Sequence, residues 1–158
     1  MSRLESFRRR LTAQIEGLNW AADAIAGIEG DVLELGLGNG RTYDHLREHL
    51  PDRRIWVIDR QMQAHPDCIP PKRDFLQGEA DDILADLARG PHRMALAHYD
   101  FGHGEPEVDR AEGARLAPLI AAVMVPGGLI VSQQPMGGLP RIAGPGKTET
   151  ERYFFYRI

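Results

Sequence analysis

Four short stretches of this chain carry residue types and spacings that suit chemistry. The first is Val32-Leu33-Glu34-Leu35-Gly36-Leu37-Gly38-Asn39-Gly40, an apolar run that enters three alternate glycines. Glycine adopts left-handed geometry without strain and lets a ligand approach the backbone closely. Three alternate glycines also lose much conformational entropy on folding, so a mere turn is a poor reason for them. The second is Asp59, directly after Ile55-Trp56-Val57-Ile58. A carboxylate there can accept hydrogen bonds from both hydroxyls of a ribose. Arg60 beside it can stack on or border an adenine. The third is Gly78-Glu79-Ala80-Asp81, whose acids would equally suit the start of a helix. The fourth is His98-Tyr99-Asp100-Phe101-Gly102-His103. Asp100, His98 and His103 are candidate bases there, and Tyr99 a wall or hydrogen-bond donor; each histidine alone also suits a structural role.

These residues need elements to place them. Val32–Leu35, Ile55–Ile58, Asp74–Leu76, Met94–Tyr99 and Leu129–Ser132 read as strands, several of them continuous apolar runs of the kind found in parallel sheets covered on both faces. Thr42–Leu50, Asp81–Arg89 and Glu107–Val125 read as the helices between them. Residues 61–73 form a proline-containing connection, and Pro126-Gly127-Gly128 a tight turn before the fifth strand. Residues 2–28 read as helix, with Leu4, Phe7, Leu11, Ile15 and Leu18 as one apolar face and Ser2 with Glu5 as a capping box. Gly17 and Asn19 are places where this stretch would break, leaving Trp20–Ile28 as a second helix. Residues 135–150 look like a loop or a poor strand, and Glu151–Ile158 like a final aromatic strand. The alternation predicts an α/β fold: an open, mostly parallel sheet with helices on both faces, an N-terminal helical extension and a shortened C-terminal part. No linker or repeat divides residues 1–158, which predicts one domain.

The glycine loop departs from the dinucleotide pattern G-x-G-x-x-G. Gly36 and Gly38 match, but Arg41 stands where a small residue would let helix and strand pack closely. The pattern is acid-x-G-x-G-x-G instead. In this it resembles the first motif of the class I S-adenosylmethionine-dependent methyltransferases, with Glu34 replacing the more frequent Asp. The resemblance covers roughly residues 20–132. It implies S-adenosyl-L-methionine as cofactor, with Glu34, Gly36, Leu37, Gly38, Asn39 and Gly40 around its methionine part and the acid near its amino group. It implies Asp59 and Arg60 at the ribose and adenine, and Gly78, Glu79 and Ala80 at the adenine amine and ring. Trp20 and the N-terminal helix would form a lid, and His98, Tyr99, Asp100 and His103 would lie beside the transferred methyl. The Pro126-Gly127-Gly128 turn is a fold marker in the same family. The Asn-Pro-Pro-Tyr signature of amino-methylating members is absent, and after the fifth strand the helix between the last two strands is missing or reduced.

The composition sets outer limits. With 158 residues, 19 basic and 23 acidic side chains and a net charge of −4, the chain lacks the basic character of a nucleic-acid coat. Arg8-Arg9-Arg10 reads as the solvated face of a helix. Cys68 is the one cysteine, which fits a reducing compartment and a plain thiol. His45 and His49 lack a third ligand of obvious spacing, so no metal is expected. No secretory h-region or membrane span is legible, which predicts a cytoplasmic protein. The expected partner is a small-molecule methyl acceptor, together with a second copy of the chain, because an aromatic last strand would make a poor free edge. A binding module that keeps the cofactor pocket without catalysis is the alternative, and an NAD-dependent oxidoreductase a weaker one.

Overall fold

The computed structural model describes residues 1–146 and 152–158. Helix α1 (Arg3–Ala24) is followed by β1 (Asp31–Leu35), α2 (Arg41–His49), β2 (Ile55–Asp59), a single 3-10 turn at Pro66–Cys68 and β3 (Phe75–Gln77). Then come α3 (Ala80–Arg89), β4 (Met94–Tyr99), α4 (Pro106–Ala121), β5 (Met124–Ser132), β6 (Arg141–Ile142) and β7 (Phe154–Arg157). The strands form one sheet in the order β3-β2-β1-β4-β5-β7-β6. The first five run parallel, and β7 lies antiparallel between β5 and β6.

Side chains alternate across a strand, so each strand feeds two cores. Leu33, Leu35, Ala97 and Tyr99 point to the face covered by α3 and α4, with Leu84, Leu116 and Ile120. Val32, Val57, Leu96, Val131 and Phe155 point to the face covered by α1 and α2, with Leu18, Ala21 and Leu46. Each fully buried Leu or Ile contributes roughly 1.5–3 kcal/mol. The alternation also decides where polar residues go: Glu34 and His98 share the α1/α2 face, while Tyr99 faces the opposite way.

The N-terminal helix departs from its expected form. It runs unbroken through Gly17 and Asn19 and is capped as expected, with Ser2 and Glu5 bonding each other's amides at 3.1 and 2.7 Å. Its apolar face is not the one that large side chains outline. Leu4, Phe7 and Ile15 are exposed, whereas Ala13, Gln14, Gly17, Leu18, Ala21 and Ala22 are buried. The reason is close approach: a Cβ on Gly17 would stand 3.1 Å from the Phe155 ring. Small residues let α1 lie directly on the sheet, and the large ones are left outside.

The C-terminal part differs too. Pro126-Gly127-Gly128 is not a turn before β5 but lies inside it, as a bulge: β4 advances from Met94 to Leu96 while β5 advances from Met124 to Leu129. Residues 147–150, expected as loop, and Glu151 at the start of the expected last strand lie outside the described residues. The aromatic strand β7 is not a free edge, because β6 pairs with it. The edges are β3 and the two-residue β6, so β7 gives no reason for a second copy to cover it.

Candidate functional site

Strands β1 and β4 are neighbours, but the chain leaves them in opposite directions, to β2 on one side and to β5 on the other. Their carboxyl ends therefore part, which is where open α/β sheets bind ligands. A cleft of about 410 Å³ opens there, within the range of small-molecule sites. Every segment named from the sequence for cofactor contact reaches it except Trp20 and Glu34: Gly36–Gly40 after β1, Asp59 and Arg60 after β2, and Gly78–Ala80 before α3. From the fourth cluster Asp100 and His103 line it, with Phe101 and Gly102 between them.

The glycine loop is held from two sides. Asp59 Oδ2 accepts the Leu37 and Gly38 amides at 2.7 and 3.3 Å, and Oδ1 accepts the Gln61 amide at 3.2 Å. That leaves Oδ1 as the oxygen with spare capacity for a ribose hydroxyl. Gly40, at φ +89°, ends the loop as the N-cap of α2, and a Cβ there would stand 2.5 Å from the Cβ of Cys68. Cys68 is thus a packing element under the loop. Gly38, by contrast, has nothing within 4 Å of an added Cβ. Its backbone is open to a ligand. Arg60 and Glu79 join across the other end, with Nε and Nη2 at 3.1 and 2.9 Å from Oε2. A carboxylate fixed in this way still has lone pairs for an exocyclic amine.

Asp100 stands beside the start of the glycine loop, where a Cβ on Gly36 would come within 3.0 Å of its carbonyl. Gln14 of α1 donates to its Oδ2 at 3.3 Å, and Arg10 and Leu11 of α1 also line the cleft there. Burial pushes the Asp100 carboxyl up to about 6; His98 and Arg10 pull against this, while Glu34 adds to it. A carboxylate poised there is protonated or ionised within a neutral working range, as a general base should be. His103 faces Glu112 of α4, Nε2 to Oε2 at 3.3 Å, and its backbone amide is held by Asp109 at 2.6 Å.

Four expected contacts are corrected by the structure. Glu34 is fully buried and does not line the cleft: its carboxylate accepts from Thr42 Oγ1 and from His98 Nδ1, the latter at 2.8 Å. His98 is also fully buried, so it cannot meet an acceptor. Tyr99 points into the α3/α4 core, edge-on to Phe101, and its hydroxyl has no partner there; burial holds that hydroxyl well above the usual phenol range. Trp20 packs edge-on against Phe155, centroids 5.4 Å apart, so the part of α1 that borders the cleft is Arg10, Leu11 and Gln14. Sequence reasoning missed these three and Glu112. Arg10 sat in a run read as solvated, and Gln14 becomes visible only once the small-residue face of α1 is known. Among the described residues, no group of three His, Cys, Asp or Glu side chains comes together to hold a metal ion.

The cleft offers glycine backbone, a ribose-type acid and an Arg–Glu pair, and, beside Gly36, the Asp100 carboxylate. The first three suit a nucleoside with a flexible polar tail, the carboxylate a proton-bearing nucleophile. The model of a family described as S-adenosyl-L-methionine methyltransferase matches residues 1–158. A crystal structure of an S-adenosyl-L-methionine methyl transferase from Silicibacter pomeroyi DSS-3 is 38% identical, with a TM-score of 0.93 over 99% of this chain and 98% of that one. Human methyltransferase-like protein 13, solved with SAH, shares the fold at 11% identity and a TM-score of 0.56, over 95% of this chain and 80% of that one. The sugar N-methyltransferase KedS8 from Streptoalloteichus sp. does so at 17% and 0.53, over 91% and 61%. No curated protein matches the sequence.

Proposed function

The chain belongs to the S-adenosyl-L-methionine methyltransferase family, and from that premise we propose that it methylates a small-molecule acceptor bound between Asp100 and α1, in the cytoplasm. S-adenosyl-L-methionine supplies an electrophilic methyl on a sulfonium; displacement by the acceptor leaves S-adenosylhomocysteine and releases the acceptor's proton. Gly36–Gly40 hold the methionine part, Asp59 Oδ1 the ribose, and Arg60, Glu79 and Ala80 the adenine. Asp100 orients the acceptor and takes its proton. Arg10, Leu11 and Gln14 close the cleft over it and exclude water.

The observation that carries this reading is the cleft itself. It joins a ligand-open glycine loop at Gly38 to a carboxylate raised to about 6 at Asp100. No helix is long and apolar enough to cross a membrane among the described residues. The whole of residues 1–158 acts as one domain in this reading. The expected homo-oligomer now rests on Leu4, Phe7 and Ile15, large apolar side chains exposed along α1. A monomer in light scattering at micromolar protein would overturn that expectation.

The test is a thermal-shift comparison of S-adenosylmethionine, S-adenosylhomocysteine and NADH, followed by a labelled-methyl screen of small-molecule pools. A ligand at a hundred times its dissociation constant stabilises by about 2.7 kcal/mol. A shift with the first two and none with NADH is expected, with label appearing in a small product. Binding without transfer to any pool would favour a silent binding module. Transfer to nucleic acid or protein would overturn the acceptor class.

A further inference from the structure

Glu34 and His98 are register partners on β1 and β4 and both are fully buried. Packing does not account for them. A buried carboxylate–imidazole pair carries a desolvation cost that two apolar side chains would avoid. Its hydrogen bonds lead in one direction. Glu34 is fixed by Thr42 at the start of α2 and meets His98 Nδ1 at 2.8 Å. His98 Nε2 stands 3.0 Å from the hydroxyl of Tyr153, just before β7, with the two rings near parallel. Gln14 on α1 donates to Asp100 Oδ2 at 3.3 Å, and its side chain also acts on the Tyr153 hydroxyl, opposing the rise that burial causes there. The chain of contacts ends at Asp100, whose carboxylate lines the cleft.

We propose that His98 and Tyr153 are positioning residues for methyl transfer: through Gln14 they hold the Asp100 carboxylate in one orientation at the reacting end of the cleft, while Glu34 and Thr42 fix the imidazole. The proposal rests on Asp100 facing the acceptor. As imidazolium the ring donates from both nitrogens, to Glu34 and to the Tyr153 oxygen. Burial opposes that charge, but the Glu34 contact outweighs it and the ring titrates above its ordinary value. Among the described residues, the titratable and charged groups that act on Asp100 are His98 from β4, Glu34 from β1, Arg10 from α1 and Tyr153 from the segment before β7. Gln14, also on α1, is its direct hydrogen-bond donor. The site is therefore complete only when both ends of the chain have docked on the sheet.

The acceptor need not be known for the test. The full-length protein is labelled at the aspartate carboxyl carbon, and Asp100 is assigned by the resonance lost in Asp100→Asn. His98→Asn should raise the Asp100 titration midpoint by about one pH unit, since a nearby positive charge is lost and Glu34 is left unpaired. Tyr153→Phe should move it the same way by less. Tyr156→Phe is the control: its hydroxyl is also buried on β7 and accepts the Met136 amide at 2.8 Å, outside this network. It should lower the melting temperature and leave the midpoint in place. If His98→Asn does not fold, Tyr153→Phe against Tyr156→Phe decides alone. A midpoint unmoved by Tyr153→Phe, or moved equally by Tyr156→Phe, overturns the proposal and makes the network merely structural. Calorimetry with S-adenosylhomocysteine on the wild type tests the cofactor reading separately. Its failure would leave the titration result standing.

Discussion

Asp100→Asn should make the protein more stable and the enzyme worse. Asn keeps an oxygen to accept from Gln14 but carries no charge to desolvate. The Asp100 carboxyl titrates at about 6 against an ordinary 3.8, with burial as the main cause. At about 1.4 kcal/mol per unit, that rise costs the native state about 3 kcal/mol when the group is ionised. Water reaches one side of the cleft, so about 2 kcal/mol is the figure to expect. The sign follows from linkage. Between pH 3.8 and 6 the native state binds more protons than the unfolded chain, so stability falls with rising pH through that window. The penalty is fully present above pH 6 and absent below the unfolded value. At pH 8 the variant should melt about 4–8 °C above wild type, a range set by a chain of this length. At pH 5 about half of that gain should remain, because the group is then largely protonated in the native state alone. Methyl transfer should fall by on the order of 100-fold, the contribution of a positioned base. Scanning fluorimetry at both pH values reads the first effect, and label transfer at saturating cofactor the second. A gain that does not change with pH, or a variant less stable than wild type at pH 8, would refute a buried, titrating Asp100.

Three further substitutions separate the roles of neighbouring groups. Gly40→Ala should destabilise by roughly 2–3 kcal/mol, from the left-handed φ of +89° and the collision with Cys68, and thermal melting without ligand reads it; an unchanged melting temperature would show that the loop relaxes around the methyl. Gly38→Ala should cost only about 1 kcal/mol of stability, because its surroundings are open, yet should weaken cofactor binding in calorimetry by more than it weakens the fold. Tyr99→Phe removes a buried hydroxyl with no partner and should be neutral or stabilise by up to about 2 kcal/mol in chemical denaturation; a clear loss would mean that the hydroxyl has a partner in solution.

The glycine loop, Asp59 and the Gly78–Ala80 segment were legible because they depend on local geometry: a strand end, a tight turn, a helix start. The mostly parallel sheet also followed from alternation, with most strand limits shifting by one or two residues and β5 beginning five residues earlier than expected. What misled was hydrophobic size. Leu4, Phe7, Leu11 and Ile15 outline a face that the structure mostly exposes, since Ala13, Gly17 and Ala21 are small enough to let α1 approach Phe155 and its neighbours. Periodicity records which side chains are greasy and says nothing about which face allows the closest approach. Trp20 was placed at the cofactor by the family resemblance, whereas its ring packs against Phe155. His98 and Tyr99 were grouped with Asp100 by adjacency, although period two sends Tyr99 to the opposite core and stops His98 one layer below the cleft.

The segment after β5, where the sequence lacks a helix between the last two strands, places Tyr153 and Phe155 on the same face of the sheet as α1. Strand β7 is an inner strand, and a two-residue β6 suffices to cover it because so short an edge offers little to pair with. What this end of the chain contributes is Tyr153 and Phe155. Phe155 takes the Gly17 face of α1 and the edge of Trp20, which sets the height of that helix on the sheet. That height brings Gln14 within reach of Asp100, and Tyr153 supplies the hydroxyl that meets His98 Nε2. A long helix between the last strands is not needed for any of these contacts. In the proposed reading, Tyr153 and Phe155 help to dock α1, and α1 in turn orients the Asp100 carboxylate through Gln14.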